Sequence, residues 1–218
     1  MIETGNQNRI ILVAQDGTES SVSQIDGLEI IFHGSNNECK IHKGNGIFDK
    51  GSHICFYSNN ASVEIGEIYV HALVAISMGE NARLYIGNDF SSNGTEFNLI
   101  ERNSEIHLGN NVLFARNTKV YSSDMHTIYD VKTKEALNFK NKISLGDNIW
   151  ICEDVMVLGN SEVKSDTVIA ARSLVNTQFP MPNCILSGTP AKVVKTGISW
   201  SRCFPGEYIA QQNSFEGK

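Results

Sequence analysis

The chain has 218 residues, is 41% hydrophobic and carries a formal net charge of −6. That acidic balance, with no basic stripe to offset it, excludes nucleic acid as a partner. No uninterrupted apolar run approaches the roughly 20 residues that span a bilayer. No charged head followed by an apolar stretch marks a signal peptide either, so a cytoplasmic protein is expected.

Taken in order, residues 9 to 13 and 19 to 25 flank Asp16-Gly17, a hairpin signal between apolar runs. Residues 1–27 therefore read as a β lead-in. A loose repeat follows. Asn36, Asn60, Asn81 and Asn103 each precede an aliphatic by five residues: Ile41, Ile65, Ile86 and Leu108. Asparagine tolerates left-handed backbone angles and suits the corner of a coil. Gly66, Gly87 and Gly109 directly follow an aliphatic, and are expected to serve the same left-handed need. The rhythm tightens at Leu108, Phe114 and Val120, then lapses near His126. Residues 127–142 carry no pattern and read as a polar loop thrown out from the body.

The next stretch is the most regular. Leu145, Ile151, Val157, Val163, Ile169 and Val175 recur at strict intervals of six. That period belongs to neither a helix nor a plain strand. It predicts an all-β solenoid, each hexad one short strand plus a corner and three hexads one triangular turn. Successive turns would stack about 4.8 Å apart. Pro180 and Pro182 end the block. The solenoid is placed at 28–200 and a tail at 201–218, with a last strand and short helix after Gly188 and a frayed end from Gln211. The five cysteines (Cys39, Cys55, Cys152, Cys184, Cys203) form no CxxC pair and read as buried free thiols in a reducing compartment.

Ile149-Trp150-Ile151, together with Gly188-Thr189-Pro190-Ala191-Lys192-Val193-Val194-Lys195, resembles the hexapeptide-repeat acyltransferases. Ser122-Ser123-Asp124-Met125-His126-Thr127-Ile128 ahead of Trp150 looks most like the members that O-acetylate capsular and other surface polysaccharides. The resemblance covers about residues 60 to 200. It implies a left-handed parallel β-helix, a homotrimer with sites between subunits, acetyl-CoA as donor and a glycan hydroxyl as acceptor. It puts the catalytic role on His126 and Trp150. Its acetyl-CoA contacts fall on Trp150, Glu153, Ala171, Thr177, Lys192 and Lys195, and no metal is implied.

The chemistry fits those residue types. A sugar hydroxyl must lose its proton as it attacks a thioester, and a positioned base contributes about 10²–10⁴-fold. Imidazole, with an ordinary pKa of about 6.5, is largely neutral and basic at pH 7. The competing reading of His126 is a core histidine, since counting on from Val120 puts it in register with core aliphatics. Asp124 is a candidate to orient the ring, and Asn93 a candidate oxyanion donor. Trp150 alternatively shields a coil, and Lys192 and Lys195 are alternatively solvated. Other readings are N-acetylation, a small hydroxylated acceptor, a zinc carbonic anhydrase using His33, His42, His53, His71 or His107, and a silent scaffold.

Overall fold

The computed structural model describes residues 2–216. The chain winds as a parallel β-helix of about seven turns with three flat faces. The first face stacks eight parallel strands from Arg9–Val13 to Gln178–Phe179. The second carries Val112–Phe114, Ile149–Ile151, Thr167–Ile169 and Cys184–Gly188. The third carries Leu28–Phe32, Ser52–Phe56, Thr118–Tyr121 and Met156–Leu158. Two long strands, Ile68–Met78 and Phe90–Leu99, bend across the corner between the second and third faces.

The hexad residues form the core. Leu145 pairs with Val163, Ile151 with Ile169 and Val157 with Val175. All six are buried. Each removes aliphatic surface from water, worth about 1.5–3 kcal/mol per side chain. Stacking begins ahead of Leu28, because Arg9–Val13 lies parallel on Glu38–His42. The Asp16-Gly17 hairpin folds Glu19–Ser21 back antiparallel on that strand.

Corner asparagines do what their backbone tolerance suggests. Asn36, Asn60, Asn81 and Asn103 have φ of 59°, 60°, 54° and 58°. Their side chains also run ladders between coils: Asn36 donates to Asn60 Oδ1 at 3.3 Å and Asn81 to Asn103 Oδ1 at 3.1 Å. The glycines have another reason. None of Gly66, Gly87 and Gly109 is among the residues with positive φ. A Cβ on Gly87 would lie 2.7 Å from the carbonyl carbon of Gly109, and one on Gly109 would lie 2.7 Å from that of Gly146. They are a column of close approach at one corner, which corrects the left-handed reading.

Four other expectations change. The thrown-out segment separates strand Thr118–Tyr121 from strand Lys142–Leu145, so Lys142 already belongs to the body. That segment is not simply polar: it exposes Ile128, Val131, Leu137 and Phe139. The expected last strand and short helix are present as Ala191–Thr196 and Pro205–Glu216, but the helix runs on through 211–216, where fraying was expected; 217 and 218 lie outside the described residues. All five cysteines are unpaired, but only Cys39, Cys55 and Cys184 are buried; Cys203 is exposed and Cys152 half-buried. Burial pushes the Cys39 thiol up to about 12.

Candidate active site

Stacked turns hold the corner from which the excursion leaves. Ser122, buried where the third-face strand ends, donates from Oγ to Asn98 O at 3.1 Å and shares a hydroxyl–hydroxyl hydrogen bond with Ser104 Oγ at 2.9 Å. Met125 then takes φ 58°, with its N–H donating to Ser123 Oγ at 3.0 Å. The His126 N–H donates to Asp124 O at 2.8 Å. This tight turn throws the His126 side chain outward, where it is exposed. It is therefore not a core histidine. Among the described residues its ring has no hydrogen-bond partner, so both nitrogens face solvent and incoming groups.

Asn138 holds this turn from the far side of the excursion. Its Nδ2 donates to His126 O at 2.8 Å and to Asp124 Oδ2 at 3.0 Å, and its Oδ1 accepts from the Ile128 N–H at 2.8 Å. Lys140 Nζ lies 3.8 Å from Asp124 Oδ2. The Asp124 carboxylate is thus occupied with Asn138 and Lys140 and makes no hydrogen bond to the His126 ring. Glu101, Ser123, His126, Asn138 and Lys140 line a cleft of about 70 Å³. Asn138 carried no signal in the sequence, since its contacts reach 12 and 14 residues back in the chain.

The other expected site residues lie elsewhere on the prism. Thr177 is exposed on the same corner as His126, two coils further on. Trp150 points outward from the second face and is 38% exposed. Its outward column continues through Val168 and Ile185 to Lys195, which belongs to the reversed strand Ala191–Thr196. Lys192 sits on that strand opposite Ser187, and both lysines are exposed. Glu153 and Ala171 occupy the corner between the second and third faces, where Glu153 O accepts from the Arg172 N–H at 3.0 Å. Beside them, burial raises the Cys152 thiol. Asn93 is exposed at the bend of Phe90–Leu99 on that corner, not beside His126. One chain therefore groups Trp150 with the lysines and His126 with Thr177, on different sides of the prism.

A strap after the last strand covers part of the second face. Trp200 packs against Trp150 with centroids 6.0 Å apart and donates from Nε1 to Asn148 O at 2.7 Å. Arg202 follows, donating to Asn111 Oδ1 at 2.8 Å, Ser91 Oγ at 2.6 Å and Asp89 O at 2.7 Å. Its guanidinium also sits 4.4 Å from the Tyr69 ring centroid. Burial lowers its pKa from the usual arginine value.

The remaining histidines have other partners. His33 stacks on Tyr57 and His107 on Tyr85. His42 pairs with Glu64 at 2.8 Å, His71 with Asp49 at 2.6 Å, and His53 with Gly51 O at 3.1 Å.

No family model matches the chain. It is 26% identical over 117 residues to a polysialic acid O-acetyltransferase of Escherichia coli O1:K1, a match covering 54% of this chain and 38% of that protein. It is 31% identical over 133 residues to the galactoside O-acetyltransferase of Escherichia coli K12, covering 60% and 62%. To a polysialic acid O-acetyltransferase of Neisseria meningitidis it is 25% identical over 183 residues, 84% of each chain. The first two matches thus span less than two thirds of those relatives' lengths. The crystal structure of the polySia-specific acetyltransferase NeuO superposes with a TM-score of 0.80 at 21% identity, covering 99% of this chain and 96% of that one. This likeness establishes the fold as the left-handed parallel β-helix.

Proposed function

We propose that this chain, a hexapeptide-repeat β-helix protein related to the capsular polysaccharide O-acetyltransferases, transfers acetyl from acetyl-CoA to a sugar hydroxyl of a surface polysaccharide. One observation carries the reading: His126 is outward, its ring without a hydrogen-bond partner among the described residues, and fixed by its backbone at the excursion corner. His126 takes the hydroxyl proton as the oxygen attacks the thioester carbonyl. The tetrahedral adduct then collapses, the carbon–sulfur bond breaks, and the imidazolium returns the proton to the departing CoA sulfur.

Trp150 flanks the acyl end, the backbone near Glu153, Ala171 and Thr177 aligns the pantetheine arm, and Lys192 and Lys195 meet CoA phosphates as point charges. A cleft of about 70 Å³ beside His126 is small against the roughly 300–1,000 Å³ of ligand sites. A second copy supplies the missing wall in a homotrimer, bringing one chain's second face to its neighbour's His126. The exposed Ile128, Val131, Leu137 and Phe139 of the excursion support such an interface. The location proposed is cytoplasmic; among the described residues no helix is long and apolar enough to cross a membrane. The similarity to a galactoside O-acetyltransferase supports a small sugar acceptor as the second reading.

His126→Ala is expected to lower turnover at least about 10²-fold with acetyl-CoA affinity nearly unchanged. Normal turnover in that variant would remove His126 from the mechanism. Lys192→Ala is expected to weaken CoA binding more than that of a truncated pantetheine thioester, measured by calorimetry; equal losses would mean no phosphate contact.

A further inference from the structure

The outward column of the first face carries two rings and then stops. Tyr85, His107, Ser144, Glu162 and Gln178 occupy successive coils of that column. The Tyr85 and His107 rings stack at 4.8 Å with an 11° tilt. At Ser144 the ring is replaced by a hydroxymethyl group, so the second face of the His107 imidazole is left uncovered. The space below it is a cleft of about 530 Å³, within the roughly 300–1,000 Å³ of ligand sites. Its walls are polar: Ser144, Asn160, Glu162 and Gln178, with Glu105 and Lys142 alongside.

The charges on these walls cancel. Glu105 is 3.2 Å from Lys142, and Glu162 is ion-paired with Lys164. A ring face for the C–H side of a sugar, flanked by hydroxyl, amide and carboxylate groups for its hydroxyls, is chemistry for an uncharged pyranose. Lys142 and Lys164 are already paired with Glu105 and Glu162, so they offer a polyanion no spare cation. The His126 corner and the cleft are linked by one short stretch of chain. Lys140 lines the one and Lys142 the other, and two residues span at most about 7 Å.

We infer that the cleft beneath His107 is an acceptor subsite, holding an uncharged sugar residue of the glycan next to the one acetylated at His126. This rests on the acetyl-transfer reading above and narrows its acceptor to a neutral oligosaccharide or polysaccharide.

Ser144→Tyr extends the ring stack into the cleft, and Ser144 is exposed, so no core packing is lost. The test uses neutral tetrasaccharides of glucose, galactose and N-acetylglucosamine, their monosaccharides, and a sialic acid tetramer. Binding is read by calorimetry and transfer with labelled acetyl-CoA, on the wild-type chain, Ser144→Tyr, Gln178→Ala and His126→Ala. At least one neutral tetrasaccharide is expected to bind the wild-type chain more tightly than the sialic acid tetramer. Ser144→Tyr should weaken that binding at least tenfold and lower the tetrasaccharide-to-monosaccharide ratio of kcat/KM by the same factor. Gln178→Ala should shift both in the same direction by a few fold. His126→Ala should lose transfer and keep tetrasaccharide binding. Binding unaffected by Ser144→Tyr, a preference for the sialic acid tetramer, or no binding across the panel would each overturn the subsite. Transfer surviving in His126→Ala would instead sink the catalytic reading and leave the binding result standing.

Discussion

The general-base role proposed for His126 needs a ring nitrogen free of competitors and a backbone that holds still. At His126 the first comes from solvent exposure, the second from Asn138, whose amide bridges His126 O, Asp124 and the Ile128 N–H. Removing that amide leaves three polar groups to find water and frees the turn. Asn138→Ala is therefore expected to lower kcat about tenfold with KM little changed, while the melting temperature stays close to wild type. A rise in KM with kcat intact would mean that Asn138 touches substrate rather than positioning the base. Nothing near residue 126 in the sequence announces this partner. A loop contact across 12 residues has no period for a pattern to expose. The role proposed for His126 came from its neighbours in Ser122–Ile128, and its corner was legible through the lapse of the hexads. Its choice between core and surface was not, because counting in sixes from Val120 put it inside. The positive φ at Met125 breaks that count and turns the side chain out.

For the elements, the legible part is what repeats. Hexad aliphatics and corner asparagines obey local rules, inward burial and left-handed tolerance, and the coils follow from them. The glycine column is different, since its reason lies one turn away. Gly87 needs no unusual angle; it lacks a Cβ because the backbone of Gly109 would meet one at 2.7 Å. Gly87→Ala is expected to destabilise the chain by about 1–3 kcal/mol, as an overpacked contact with unyielding backbone does. Thermal or denaturant unfolding would measure it, and a neutral result would show that adjacent coils can part. The excursion was legible as a break in period, but its apolar surface was masked by Asp130, Lys132, Lys134 and Glu135. The Asp130 carboxylate spends itself on the loop, accepting from the Thr133 and Lys132 N–H groups, and is held below its usual value by them.

For the molecule as a whole, the C-terminal strap ties distant coils together. Arg202 reaches residues 91 and 111 positions earlier in the chain, a half-buried charge satisfied by three acceptors. The sequence hid it, because neither spacing nor composition links a tail arginine to Asp89, Ser91 and Asn111. The chain has two tryptophans, and the strap sets one against the other. Arg202→Ala is expected to release the strap and shift tryptophan emission to the red, with a stability loss of about 1–3 kcal/mol from unmade hydrogen bonds. Unchanged emission would mean that Trp200 stays docked without its neighbour.

The reversal at Gly188–Ala191 has a bearing on assembly. A column of parallel strands is a template at its base, ready to accept the next molecule and grow into a filament. Here the final rung runs backwards and bristles with Lys192 and Lys195. An arriving copy meets a strand of opposite polarity carrying two lysines, so the second face offers no matching edge for parallel growth.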